Sequence, residues 1–339
     1  MARVWVLGAG WGTALALHMN RVGHEVTLWT PFEDEINGMR EHREHKKLLP
    51  GAHIDEKIQL TASLSGITDT DLIIVATPSF AVRQTGERLC EAFTGTSGAA
   101  RPLIASLSKG VEESTLLRLS EVLRDCLPGF SVVAVSGPSH AEEVARAVPT
   151  SLVAASEDIT IADQAQDLMM DNSLRVYTSH DIIGVELGGA FKNIIALAAG
   201  ICDGLSLGDN TRAALMTRGL SEIAALGVKM GAQRETFAGL AGIGDLIVTC
   251  TSVHSRNHRC GILIGQGVPV KEALEQIGMT VEGYHASKTG YLLAKRYQAE
   301  MPIIQQCYEV LYNGLDVREA IGNLMSRPKK REHEHTYLD

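Results

Sequence analysis

The opening stretch "RVWVLGAGWGTALALHMNRVGHEVTLWT", residues 3–30, constrains the fold more than any other part of the chain. An apolar strand runs into a glycine turn, the turn into a helix that Gly23 closes, and "HEVTLWT" supplies a second strand. This is a βαβ unit, whose two strands lie parallel because a helix carries the chain back between them. Later runs "DLIIVATPS", "PLIASLSKG", "SVVAVSGPS" and "SLVAAS" are rich in Val and Ile and bounded by turn residues, as expected for strands buried on both faces of a parallel sheet. Helical patterns such as "STLLRLSEVLRDCL" separate them. The first half is therefore read as an open, doubly wound α/β sheet of the Rossmann type.

From about residue 184 the strand signal fades. "GVELGGAFKNIIALAAGICDG" and "NTRAALMTRGLSEIAALGVKMG" repeat small and aliphatic residues at helical spacing, so two domains are expected: residues 1–183, and a mainly α-helical 184–339. "IIGVELGGAFKNIIALAAGI" is apolar enough to suggest a membrane span, but it carries Glu186, Lys192 and Asn193 and is read as a buried helix. The polar tail "RPKKREHEHTYLD" is expected to fray, and the chain shows no internal repeat.

Charge and cysteine usage narrow the function classes. A net charge of -9 with pI near 5.8 argues against a general nucleic-acid binder, which needs a basic face, yet leaves room for a small anionic substrate. The six cysteines (Cys90, Cys126, Cys202, Cys250, Cys260, Cys307) form no CxxC pair, so no metal site and no disulfide framework is expected. Met1 runs straight into the first strand, leaving no room for a leader, and a cytoplasmic location is expected.

Several clusters look chemical. In the opening loop Gly8 and Gly10 fill the first two places of a GxGxxG dinucleotide fingerprint, but the third glycine is Gly12 rather than residue 13. One residue is a rotation of about 100° on a helix, so either the turn is tighter than usual or Thr13 lies where glycine is expected. The second strand has no acid or Arg at its tip to choose between NAD and NADP; Glu33 or Asp34 could take a ribose hydroxyl, or simply face solvent. Lys109 in "SLSKGVE" stands at the carboxyl edge of the sheet, where such folds bind ligands, or is an ordinary loop lysine. In "SGPSHAEE", Ser139 reads as a helix N-cap, with free N–H groups that could receive an anion.

The sharpest cluster is "GGAFKNIIALAAG". Lys192 either snorkels to water or stays partly buried, where desolvation lowers its pKa toward the range useful for proton transfer; Asn193 could hold the substrate or orient the lysine. In "AGIGDLIVTCTSVHSRNHRCG", Asp245 follows a glycine turn that it could equally cap. Ten residues on, Ser255, Arg256, Asn257 and Arg259 concentrate phosphate-type donors in an acidic protein; Arg259 and the flanking histidines read as a solvated patch.

Taken together, "GAGWGTALA", "SLSKGVE", "VSGPSHAEE", "GVELGGAFKNIIALAAGICDG", "LAGIGDLIVTCTSVHSRNHRCG" and "TVEGYHASK" resemble the successive motifs of NAD(P)-dependent glycerol-3-phosphate dehydrogenases of the bacterial cytoplasmic type. The resemblance covers nearly the whole chain. It implies interconversion of dihydroxyacetone phosphate and sn-glycerol 3-phosphate with NAD or NADP, feeding phospholipid synthesis. It further implies Lys192 as the proton donor and acceptor at the C2 oxygen, with Lys109 touching substrate and cofactor. Asn193, Asp245 and Thr249 would line the reacting centre, with Gly137 and Ser139 beside the substrate. Ser255, Arg256 and Asn257 would hold the phosphate. Gly8, Gly10, Trp11, Gly12, Ala141, Thr280 and Glu282, with Arg256, would approach the cofactor.

One departure stands out: family members usually place a small residue between GAG and the aromatic, whereas Gly10 here is followed at once by Trp11. The expectation is an intact substrate site with cofactor affinity at risk. Two rival readings are a dehydrogenase of a 3-hydroxy acid or of ketopantoate, and a catalytically silent nucleotide-binding module. A homodimer is the default expectation for an enzyme of this build.

Overall fold

The computed structural model describes residues 1–95, 101–329 and 331–332; most of the polar tail expected to fray lies outside the described residues. The strands are β1 (Arg3–Leu7), β2 (Glu25–Trp29), β3 (Glu44–His45), β4 (Leu49–His53), β5 (Gln59–Thr61), β6 (Leu72–Val75), β7 (Leu103–Ser106), β8 (Val132–Ser136), β9 (Thr150–Ala155) and β10 (Leu174–Ser179). The helices between them are α1 (Trp11–Val22), α2 (Glu33–His42), α3 (Val82–Phe93), α4 (Leu119–Cys126), α5 (Ala141–Ala145) and α6 (Ile159–Met169).

Eight strands form one sheet in the order β10-β9-β8-β7-β6-β1-β2-β5, and β3 pairs with β4 in a separate hairpin. β1 lies between β2 and β6, parallel to both, with Val4 opposite Val26 and Leu72. The chain therefore leaves β1 in one direction across the sheet and returns to β6 on the other side, which makes a topological switch point. Ligands of open α/β sheets bind in the crevice beyond the strand ends there. Helices cover both faces: Leu15, Ala16, Met19 and Ile36 on one, and Val82, Leu89, Val122 and Leu123 on the other.

Two expectations are corrected. β9, "SLVAAS", runs antiparallel to β8 rather than parallel, and β10 then follows parallel to β9. The link from β8 to β9 carries only the five-residue α5, which packs beside α1 instead of crossing the sheet as a βαβ helix must. The helix expected across "STLLRLSEVLRDCL" begins only at Leu119. Leu116 takes a positive φ of 61°, and Arg118 is held back in a bridge to Val111 while its N–H donates to Glu121 at 2.8 Å.

The second half is helical as expected: α7 (Ile182–Gly204), α8 (Gly208–Lys229), α9 (Asp245–Thr251), α10 (Arg256–Gly265), α11 (Val270–Ile277), α12 (Glu282–Arg296), α13 (Pro302–Asn313) and α14 (Val317–Met325). The expected boundary between 183 and 184 falls in the first turn of α7, which Asp181 caps by accepting the Gly184 N–H at 2.8 Å. α7 is the central post of this half. It is the one helix among the described residues long and apolar enough to cross a membrane, and 89% of its apolar window is buried inside the protein. Its neighbours lie so near because glycines meet at the crossing with α10. A side chain at Gly200 or Gly204 would collide with the His258 and Ile262 carbonyls, and one at Gly261 or Gly265 with those of Leu197 and Ile201.

Candidate active site

The short glycine loop settles first. Gly8 has φ +116°, and a Cβ there would stand 2.7 Å from the Ala76 carbonyl, so only glycine fits this turn. α1 starts at Trp11, directly after Gly10, and Gly12 then faces the sheet: a Cβ on it would meet Val6 at 3.2 Å and Leu28 and Ala76 at 3.8 Å. Gly12 thus does the packing work of a third glycine, by the tighter turn and not by replacement with Thr13, whose buried hydroxyl bonds the Ala9 carbonyl. Gly10 is open but for Leu48, and no side chain caps the start of α1. An uncapped helix N-terminus beside open glycine backbone suits a pyrophosphate.

Polar groups without protein partners stand at the neighbouring strand ends. Thr77 Oγ1, beyond β6, and Ser136 Oγ, ending β8, are buried and lack hydrogen-bond partners among the described residues. Glu282, at the first turn of α12, accepts the Ser79 N–H at 3.0 Å and the Ser79 hydroxyl at 2.6 Å, which brings the helical domain onto the end of β6. Ala141 begins α5 and packs with Trp11 around Ala14, Leu49 and Val144. Thr280 is half-buried just ahead of α12. These residues fit a dinucleotide along the switch-point crevice.

The reacting centre lies where α7 passes the sheet. Lys192 is 6% exposed and does not snorkel. Its Nζ donates to Asp245 Oδ1 and, at 2.5 Å, to Thr249 Oγ1. Asp245 is 1% exposed and accepts a second ammonium on Oδ2, from Lys109 at 2.7 Å; Lys109 also donates to the Gly137 carbonyl at 3.0 Å. Burial lowers the Lys192 pKa to about 8, with Lys109 pushing the same way and Asp245 resisting. Burial alone would raise the Asp245 carboxyl, but the two lysines outweigh it and hold it below its ordinary value. The carboxylate is delivered by a wide turn at Leu240–Gly244 with i→i+5 geometry, a feature common at functional sites.

The anion-type cluster adjoins this centre. Asn193 Oδ1 accepts the Asn257 amide at 2.9 Å, and Asn257 Oδ1 accepts the Gly283 N–H at 2.8 Å, so the residue after Lys192 is tied to the residue after Arg256. Ser255 caps α10 by accepting the His258 N–H at 3.2 Å and keeps its own hydroxyl proton to donate. Burial lowers the Arg256 pKa, while Glu282 and Glu142 favour its charge. No hydrogen bond joins its guanidinium to another described residue. A largely buried, unpaired Arg at a helix N-terminus is a strong anion receptor.

Other expectations change. Ser139 does not cap α5: His140 takes the N-cap position without a side-chain bond, and the Ser139 hydroxyl donates instead to the Gly137 carbonyl at 2.9 Å. His258 is not part of a solvated patch. It is buried, with Nε2 2.8 Å from Asp203, whereas Arg259 is exposed as read. Glu33 faces solvent and lies 3.6 Å from Arg40. Sequence reasoning missed Thr77, Ser79, Ser136 and His140, whose pKa falls through burial and then through Lys192. The signal for the first two was "TPS" after an apolar strand, quoted as a strand end but not weighed as a ligand edge.

Two family models match almost end to end: the N-terminal region of NAD-dependent glycerol-3-phosphate dehydrogenase over residues 3–162, and its C-terminal region over 181–322. The chain belongs to the NAD-dependent glycerol-3-phosphate dehydrogenase family. A glycerol-3-phosphate dehydrogenase [NAD(P)+] from Desulfitobacterium hafniense (strain Y51) is 47% identical over 340 residues, covering 100% of this chain and 95% of that one. One from Thermoanaerobacter sp. (strain X514) is 48% identical, covering 97% and 98%. The crystal structure of glycerol-3-phosphate dehydrogenase from Coxiella burnetii superposes with a TM-score of 0.91 at 37% identity, over 96% of this chain and 99% of that one.

Two other kinds of enzyme share the fold alone: D-mandelate dehydrogenase matches at 13% identity with TM-score 0.62, and a ketopantoate reductase from Ralstonia eutropha JMP134, of one rival class, at 17% with 0.50. Neither likeness speaks to substrate.

Proposed function

We propose that this chain interconverts dihydroxyacetone phosphate and sn-glycerol 3-phosphate, feeding phospholipid synthesis. The carrying observation is one juxtaposition. A buried Lys192–Asp245–Lys109 network stands next to an unpaired, largely buried Arg256, joined through Asn193 and Asn257. When bound, the nicotinamide supplies or accepts the hydride at C2.

Each protein group then has a task. In reduction the Lys192 ammonium gives its proton to the C2 oxygen, and in oxidation its free amine takes that proton back. Asp245 fixes the Nζ position through Oδ1 and, through Oδ2, holds Lys109 close enough to depress the Lys192 pKa. Arg256, the Ser255 hydroxyl and the start of α10 grip the phosphate, while Asn257 and Asn193 set the distance from that grip to Nζ. Burial keeps water out, so the charges act in a low dielectric.

Turnover of dihydroxyacetone phosphate with NADH or NADPH tests this, alongside Lys192→Ala. The expected result is activity that the substitution removes while nucleotide binding stays. Turnover of hydroxy acids or ketopantoate alone would overturn the substrate, and nucleotide binding without turnover would favour the silent module. We also place the protein in the cytoplasm as a homodimer, the default closed symmetry for such enzymes, which light scattering on eluting protein checks.

A further inference from the structure

The phosphate grip rides on the first turn of α10 and the proton donor on α7, so the reaction depends on where one helix sits along the other. The Asn193–Asn257 bond is one tie between them. A second stands at the far end of α7. The His258 Nε2 lies 2.8 Å from Asp203 Oδ2, and a carboxylate only accepts, so the ring donates. Asp203 is in the last turn of α7 and is held in turn by Arg212 of α8, whose Nη1 donates to both its oxygens at 3.0 Å.

The two ties pull in opposite directions. Asn193 and Asp203 are about 15 Å apart along α7. The backbone of α10 crosses between them: a side chain at Gly200 would strike the His258 carbonyl, and one at Gly261 the Leu197 carbonyl. Asn257 and His258 are neighbours about 100° apart around α10, and they reach toward opposite ends of that interval. Glycines meeting at the crossing present no side-chain ridge against sliding, which leaves the place of the first turn to these polar ties. With one tie α10 can pivot. With both it is pinned.

His258 is also built into the grip itself, because its backbone N–H donates to the Ser255 hydroxyl oxygen at 3.2 Å. The same cluster borders the reacting centre through α9. Burial pushes the Cys250 thiol up to about 12, and the charges acting on it include Lys192 on one side and Arg212 and Asp203 on the other. We propose that His258, anchored by Asp203 and Arg212, is a positioning residue: it fixes the phosphate grip at the distance from Lys192 at which the ketone of a gripped substrate meets Nζ. His258 is buried and acts through the groups on either side of it. A misplacement of about 1 Å in such a geometry costs about 100-fold in rate.

The inference rests on the dihydroxyacetone phosphate reading above, and two substrates separate it from that reading. The full chain and its variants are assayed with NADH or NADPH against dihydroxyacetone phosphate and against dihydroxyacetone, which has no phosphate to grip. His258→Asn is too short to reach Asp203. It should lower kcat/KM for the phosphorylated ketone about tenfold or more and leave that for dihydroxyacetone within about twofold. His258→Gln carries an amide N–H to about the place of Nε2 and should restore the phosphorylated rate to within about threefold of wild type. Asp203→Ser removes the acceptor from the α7 side and should shift the ratio of the two ketones in the same direction as His258→Asn, so the test does not hang on one variant folding. An equal loss on both ketones, no loss, or a His258→Gln as slow as His258→Asn would each overturn the positioning role. If the wild-type protein turns over neither ketone, the substrate reading fails and the positioning role with it.

Discussion

One carboxylate serving two ammonium groups decides how Lys192 titrates. Burial and Lys109 bring its pKa down to about 8, within reach of neutral pH, and Asp245 keeps it from falling further. The sign for activity follows from which form works. Reduction of the ketone needs the ammonium, so its kcat/KM should fall as pH rises through about 8; oxidation needs the free amine and should rise through the same point. Opposite limbs in the two pH–rate profiles would confirm the assignment, and parallel limbs would remove Lys192 from the proton step. At the other end of the substrate, Arg256→Lys keeps a charge but loses the planar fork. It should raise KM for the phosphorylated substrate about tenfold or more with a smaller change in kcat, measured by steady-state kinetics. Lys192 was legible in the sequence because a charged residue inside an apolar helix demands an explanation. His258 was not, because its partner Asp203 is 55 residues away and only packing brings them together.

At the scale of elements, the sequence displayed periodicity but not close approach. The βαβ start, the buried α7 and the helical second half follow from spacing alone. The antiparallel β9 did not, since its apolar run is the same whichever way the strand points, and only the short link through α5 decides it. The missing loop residue was visible, yet its outcome depended on whether Gly12 could reach Val6, a tertiary distance. The α7–α10 crossing has most to do with function, because α7 carries Lys192 and α10 starts at the phosphate grip. Gly261→Ala pushes a methyl group into the Leu197 carbonyl, so the helices must part. Overpacking of this kind costs about 1–3 kcal/mol. The expected outcome is a lower Tm together with a raised KM for the phosphorylated substrate. A lower Tm with unchanged kinetics would mean that the crossing holds the fold but not the site.

Across the whole molecule, stability has a pH dependence that does not originate at the active centre. Glu222 of α8 is buried and caps α13 from outside: both its oxygens accept the Ile303 N–H at 3.0 Å, and Oε2 also accepts the Ile304 N–H at 3.3 Å. Burial raises its pKa to about 7, against those N–H groups and the more remote Arg327 and Arg218, which favour the charged form. Cys307 also faces it, with a thiol pKa pushed up to about 12, first by burial and then by Glu222 itself. The folded state therefore holds a proton that the unfolded chain releases near its ordinary value of 4.5. Between those two values the native protein binds more protons than the unfolded one, so stability falls as pH rises from about 4.5 to 7 and is constant on this account above it. The interval is about 2.5 units at 1.36 kcal/mol each, or roughly 3 kcal/mol. Glu222→Gln removes the titration while keeping an acceptor at the start of α13. Relative to the wild type it should gain about that amount between pH 4.5 and 8 in denaturant melts, an advantage that vanishes in acid. A difference between the two proteins that does not change with pH would mean that Glu222 is already ionised in the folded state and that the cap works as a charged one.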